Sequence, residues 1–183
     1  MLSSPRSVSS LALAAAIMFA LVVAPRVAQA ENPNVTFSGR IMVSDKRFPQ
    51  TAKSPGAYVA AIRKQAKINF AEDKEKQQWK IYFAGFLKNK LNDVEYIIKI
   101  YDISSKPQQL LQSFEQFTTD RGQQTIISSM TLEKKSMGVN KELMMTMESK
   151  GKVLASGRFK ILGQGEKFSG KVDFSDDDTK KDE

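Results

Sequence analysis

The amino-acid sequence predicts a mainly β protein, in the form of a two-sheet antiparallel β-sandwich with about seven to nine strands and one short helix. Three observations lead to this fold class. Short runs of alternating apolar and polar residues recur along the chain, as in strands with one buried face. Turn-forming residues separate these runs, and only one segment has apolar residues at helical spacing. A closed antiparallel barrel is the alternative arrangement of the same strands.

The N-terminal segment has the pattern of a secretory signal peptide. Arg6 and the free amine are positive, residues 11–24 are apolar throughout, and Ala28 and Ala30 are the small residues that a signal peptidase reads. The fourteen apolar residues are fewer than the roughly 20 needed to span a bilayer, which favours cleavage over an uncleaved anchor. We therefore expect residues 1–30 to be a signal peptide cleaved after Ala30, which leaves an exported, periplasmic or secreted chain with no transmembrane span.

The first elements of the mature chain are a strand and the helix. Alternating apolar residues over residues 35–43 predict the strand. Ser54 followed by Pro55 matches a helix N-cap and first turn. Apolar residues at helical spacing then predict a helix of about three turns over residues 55–67.

Two long strands follow the helix. Residues 76–88 alternate strictly and place Trp79 on an inward face, and residues 94–101 do the same with Tyr96. The break between the two strands contains Asn92 and Asp93, which are turn-forming residues. These two strands are expected to provide much of the core.

The remaining strands continue to the end of the domain. Strands are predicted over residues 110–118 and 123–133, and a hairpin is predicted from residues 143–147 and 153–161 around the turn Ser149-Lys150-Gly151-Lys152. A last strand runs through Phe168, Val172 and Phe174. The predicted domain therefore covers residues 31–174, and residues 175–183 form an acidic tail that we expect to be disordered.

The composition excludes most familiar catalytic chemistries. The chain contains neither His nor Cys, so it has no Ser-His-Asp or Cys-His catalytic unit, no zinc site of the usual type and no disulfide. Glu72, Asp73 and Glu75 concentrate carboxylates of the kind used for general acid/base catalysis or calcium binding, but the interleaved lysines are more typical of a solvated turn. We expect no cofactor, no metal and no enzymatic activity, with an enzyme that uses only Asp, Glu, Lys or Tyr as the less favoured alternative.

Charge is segregated along the chain. The whole sequence has 28 Lys and Arg against 20 Asp and Glu. Residues 31–172 contain 24 basic and 14 acidic residues, a net charge of +10, whereas residues 173–183 carry −4. A basic body suits an anionic partner, and an acidic tail can fold back over it. A solvated tail that aids solubility is the simpler interpretation and the one that the sequence favours.

Basic and aromatic residues form two candidate binding surfaces. One lies on and just before the predicted helix, and comprises Lys53, Arg63, Lys64 and Lys67. The other is one face of the strand over residues 76–88, and comprises Lys80, Tyr82, Phe86 and Lys88. The helix surface suits contact with an anionic lipid, lipopolysaccharide or polymer. The strand face suits an anionic or glycan surface, or strand-to-strand contact with a partner. For the strand face, burial within the protein is the alternative that we favour.

Five segments of the mature chain carry a family resemblance. They are SPGAYVAAIRKQ (54–65), EDKEKQQWKIYFAGF (72–86), LNDVEYIIKIYD (91–102), GVNKELMM (138–145) and KVLASGRFKILG (152–163). Together they resemble a set of uncharacterised exported proteins from myxobacteria-like Gram-negative bacteria. The resemblance implies a location in the bacterial cell envelope and implies no catalytic residue.

The sequence as a whole predicts a non-catalytic exported β-sandwich that acts as a binding or accessory module in the cell envelope. Its partner is expected to be an envelope protein or an anionic surface. A nucleic-acid partner is not expected for an exported protein.

Overall fold

A computed structural model describes residues 32–163 of the chain, and this part is mainly β. Its eight strands are β1 Arg40–Ser44, β2 Asn69–Ala71, β3 Gln78–Leu91, β4 Glu95–Asp102, β5 Gln109–Phe117, β6 Gln123–Glu133, β7 Lys141–Ser149 and β8 Lys152–Leu162. Its three helices are α1 Pro33–Thr36, α2 Pro55–Gln65 and α3 Lys134–Met137.

All eight strands belong to one hydrogen-bonded sheet. The strand order is β5-β4-β7-β8-β1-β3-β6, and β2 pairs with β8 in parallel. Most neighbouring strands are antiparallel, and the contact between β1 and β8 is parallel. The mainly β prediction is therefore confirmed, whereas the predicted division into two separate sheets is not.

The sheet curls so that its two halves pack on each other. Alternate residues of the strands meet in a main core that contains Trp79, Phe83 and Phe159. A Cβ added to Gly85 on β3 would lie 2.8 Å from the Cε of Met147 on β7, so these two strands face each other closely across the interior. The inward faces predicted for Trp79 and Tyr96 are confirmed, because both side chains are buried.

A glycine permits the tight junction between β1 and β8. A Cβ added to Gly157 would lie 2.2 Å from the backbone oxygen of Ile41, a distance at which the two strands would have to separate. Arg40 pairs with Ser156 at this point. Gly157 therefore fixes how closely the parallel strands approach.

Helix α2 covers part of the outer face of the sheet. The Ser54 side chain accepts a hydrogen bond from the backbone N–H of Ala57 at 3.2 Å, which confirms the predicted N-cap. Val59 and Ile62 are fully buried in a second, smaller core on that face. The helix ends at Gln65, two residues before the predicted end, because Ala66 is extended and the Lys67 N–H bonds to the carbonyl of Val43 on β1.

The strand that was predicted to begin at Val35 begins instead at Arg40. Asn32 caps a single helical turn, α1, through a hydrogen bond from the Asn34 N–H to its side chain. Gly39 then turns the chain into β1 with a φ of 73°. Val35 is consequently exposed and contributes nothing to the sheet.

The other predicted elements match the structure more closely. The hairpin between β7 and β8 turns at Lys150 and Gly151, whose φ angles are 50° and 76°. Strands β5 and β6 lie where they were predicted, but β2 and α3 were not predicted. The proposed signal peptide, the last predicted strand over residues 168–174 and the acidic tail lie outside the described residues. None of the helices in residues 32–163 is long and apolar enough to cross a membrane.

Candidate functional site

The outer face of β3 is half covered and half open. Ala84 and Phe86 lie under helix α2 in the smaller core, and both are fully buried. Lys80 and Tyr82 precede them on the same face, and Lys80 is exposed while Tyr82 is half-buried. The open half of this face forms the floor of a cleft.

This cleft has a volume of 390 Å³ and lies between the loop after β1 and the neighbouring strand β6. Its lining residues are Arg47, Lys80, Tyr82, Ile127, Ser128 and Ser129. Ser129 is directly opposite Tyr82 in the antiparallel pairing of β3 and β6, so both side chains project to the same side of the sheet. We call this site the basic cleft, because its two charged lining residues are cations.

Hydrogen bonds from the end of α2 hold the loop that carries Arg47. The amide nitrogen of the Gln65 side chain donates to the carbonyls of Lys46 and Arg47, each at 2.8 Å. The hydroxyl of Ser44 donates to the carbonyl of Gln65 at 3.0 Å and accepts from the Lys46 N–H at 3.1 Å. Phe48 anchors the loop in the smaller core. The backbone under Arg47 is therefore fixed although its side chain is exposed.

The electrostatics of the basic cleft favour an anion. The Lys80 ammonium lies 5.6 Å from the centre of the Tyr82 ring, a cation–π distance. Among residues 32–163, neither Arg47 nor Lys80 forms an ion pair. Residues 40–67, the segment that includes Arg47, contain seven basic residues and a single acid. That acid, Asp45, is already paired with Lys67, whose hydrogen bond lowers the pKa of the Asp45 carboxyl.

The candidate residues of the strand face are separated by the structure. Lys80 and Tyr82 lie together in the basic cleft. Phe86, in contrast, is fully buried beneath α2 and its ring is 4.9 Å from that of Phe37, so it is a core residue and not a binding residue. Lys88 lies further along β3, where its side chain is close to Gly39. The expected continuous aromatic and basic stripe is therefore shortened to two residues.

The candidate residues near the helix do not form one surface. Lys53 and Lys64 are exposed, and Arg63 lies over the Phe37 ring at 5.8 Å from its centre. Lys67 is beyond the end of the helix and is engaged by Asp45. These four cations add to the positive field of the region, but none of them lines the basic cleft.

The carboxylates between β2 and β3 have structural partners. The Glu72 side chain is only 3% exposed and forms an ion pair with Lys134 at 3.1 Å. Asp73 accepts a hydrogen bond from the Glu75 N–H at 3.1 Å, which stabilises the turn, and Glu75 is exposed. Across the described ranges, no group of three or more acidic residues is arranged to hold a metal ion.

A second cleft lies near the start of β5 and has a volume of 550 Å³. Its lining combines both charge signs, because Glu142 stands beside Lys106 and Arg158. Glu142 also forms an ion pair with Lys160 at 3.6 Å. The mixed charge makes this cleft a weaker candidate for a single class of ligand than the basic cleft.

Sequence reasoning missed four of the six residues that line the basic cleft. Arg47, Ile127, Ser128 and Ser129 lie on segments that have no recognisable binding motif. Lys80 and Tyr82 were found because they alternate along one strand. The pairing register of β6 and the path of the loop after β1 are long-range features, and they bring the other four residues to the same place.

Comparison with protein-family models and with curated proteins finds no match to this chain.

Proposed function

We propose that the protein is a non-catalytic, exported binding module of the bacterial cell envelope, and that it binds an anionic group in the basic cleft. One observation carries this proposal, namely that two cations without ion-pair partners in residues 32–163 converge on a cleft that also offers the Ser129 hydroxyl and a tyrosine. Arg donates several hydrogen bonds in a fixed fork, and Lys supplies a compact charge. This combination suits the phosphate of a lipid head group, of lipopolysaccharide or of an anionic polymer.

We also propose that the curled sheet is organised like a β-sandwich, with two packed layers. The two halves of the curled sheet act as two packed layers that hold the outer face of β3 rigid, as the close approach of Gly85 to Met147 supports. A rigid outer face keeps the backbone of Lys80 and Tyr82 in position before the ligand arrives. Such preorganisation lowers the entropy cost of binding.

The test measures binding of residues 31–183 to vesicles made of equal parts of phosphatidylcholine and phosphatidylglycerol at low ionic strength. The variant pair Arg47→Gln and Lys80→Gln removes both cleft charges. Each basic residue close to an anionic membrane contributes about 1 kcal/mol, so the double variant should bind up to about thirtyfold more weakly. Binding of the unchanged protein should also weaken with added salt.

A matched control separates the cleft from general charge. Lys90 and Lys152 are exposed and form no ion pair among the described residues. Lys90 lies ten residues beyond Lys80 on β3, about 33 Å along the strand. Changing Lys90 and Lys152 to Gln removes the same charge and should affect binding much less. Equal losses in the two double variants, or no vesicle binding at all, would overturn the proposal.

A further inference from the structure

The described region ends near the start of β3, the strand that carries Lys80. The indole N–H of Trp79 donates a hydrogen bond to the carbonyl of Leu162 at 3.2 Å, and Trp79 directly precedes Lys80. The next residue after Leu162, Gly163, donates its N–H to the side chain of Asn140 at 2.7 Å. Because Trp79 is buried and Lys80 is exposed on the opposite face of β3, a segment that starts at Gly163 has to cross to the outer face of the sheet to reach the cleft.

The segment that follows Gly163 is acidic, and its charge is therefore opposite to that of the basic cleft. Asp176, Asp177 and Asp178 are consecutive, and residues 173–183 carry a net charge of −4. The two charged residues that line the cleft, Arg47 and Lys80, are both cations. Carboxylates accept hydrogen bonds from Arg and Lys as phosphate oxygens do, so the tail and an external anion would use the same donors.

The length of the connection permits the contact. Twelve residues separate Gly163 from Asp176. A chain of this length reaches at most about 40 Å, and as a flexible tether it has an end-to-end distance of about 20 Å. A short tether of this kind presents its end to a nearby site at an effective concentration on the order of millimolar.

We infer that the acidic tail, residues 175–183, occupies the basic cleft as a tethered competitor and lowers its affinity for external anions. This inference rests on the proposed function, because it concerns the regulation of the same cleft. A carboxylate tail with an intrinsic dissociation constant at or below the millimolar range occupies the cleft for half of the time or more. Removal of the tail should then strengthen binding of an external anion by about two- to tenfold.

The first experiment compares four chains for binding to the same phosphatidylglycerol vesicles. A chain that ends at Ser175, and a full-length chain with Asp176, Asp177 and Asp178 changed to Asn, should both bind about two- to tenfold more tightly than the unchanged protein. A matched change of opposite sign replaces Lys180 and Lys181 with Gln, which makes the tail more acidic and should weaken binding. If all these chains bind equally well, the tail does not compete and the inference is wrong, although the proposed function stands.

The second experiment places the tail on the cleft. In a chain that already carries Arg47→Gln and Lys80→Gln, truncation after Ser175 should no longer strengthen binding to the vesicles. An improvement by the same factor in that background would show that the tail acts through general charge, which overturns the inference.

The third experiment works without an external ligand. A peptide of residues 172–183 is titrated into the chain that ends at Ser175, and backbone amide signals are followed by NMR. Signals of Arg47, Lys80 and Ser129 should shift, and those of Lys90 and Lys152 should not. An absence of shifts at the cleft would overturn the inference independently of the vesicle results.

Discussion

Phe86 and Tyr82 lie on the same face of β3, and the structure predicts that their truncation has very different effects on stability. Phe86 is fully buried under α2, with its ring 4.9 Å from the Phe37 ring at an interplanar angle of 41°. Tyr82 is half-buried at the floor of the basic cleft. Simple alternation along a strand treats the two positions alike, so the comparison tests where the helix covers the sheet.

The expected magnitudes follow from burial. Truncation of a buried Phe to Ala removes its transfer free energy and leaves a cavity, at a cost of roughly 3 to 5 kcal/mol. The tilted ring pair with Phe37 is included in that loss, at about 0.5 to 1.5 kcal/mol. Tyr82→Ala removes a ring that is partly solvated, and we expect a loss of about 1 kcal/mol.

Urea unfolding followed by the fluorescence of Trp79 measures both losses. Trp79 is the single Trp in the chain and is 1% exposed, so its emission reports the main core. A loss near about 5 kcal/mol approaches the whole free energy of unfolding of some domains, which would leave little folded Phe86→Ala to measure. Phe86→Leu is therefore a second variant, which keeps most of the side-chain volume and should lower the free energy of unfolding by less. Similar losses for Phe86→Ala and Tyr82→Ala would refute the placement of α2 over this face.

Two further predictions concern pH and export. A hydrogen bond from Lys141 lowers the pKa of the Asp102 carboxyl below its usual 3.8, so this pair stabilises the folded chain above the unfolded pKa, and the contribution is lost as the pH falls below about 5. The melting temperature of Asp102→Asn should therefore fall less between about pH 5 and lower pH than that of the unchanged protein. Parallel profiles of melting temperature against pH would contradict this role of Asp102. For export, N-terminal sequencing of the exported protein should begin at Glu31, and a full-length chain retained in the membrane would contradict the cleavage prediction.

Local patterns predicted most of the individual elements. Ser54 caps α2 as expected because an N-cap depends on its own side chain and on the next few N–H groups. The hairpin at Lys150 and Gly151 was predicted because its turn requires positive φ in consecutive residues, which Gly tolerates. The same local reasoning was wrong at Val35, where an Asn32 cap forms a helical turn in place of a strand.

The connection of the strands into one sheet could not be predicted from such patterns. Alternation shows that one face of a strand is buried, but it does not show which strands are neighbours. The parallel contact of β1 with β8 joins residues more than one hundred positions apart in the chain, and it depends on the close approach that Gly157 permits. A glycine in a strand indicates a close approach without naming the partner.

The open cleft is a consequence of the short length of α2. A helix of eleven residues is about 16 Å long, whereas the fourteen residues of β3 extend for about 46 Å, so the helix covers only part of the outer face of β3. The helix cannot continue, because Ala66 is extended and Lys67 pairs with the backbone of β1. At that end the Gln65 side chain binds the loop carbonyls and so fixes the position of Arg47. The residue that ends the helix therefore also holds the loop that places Arg47 at the border of the uncovered half of β3.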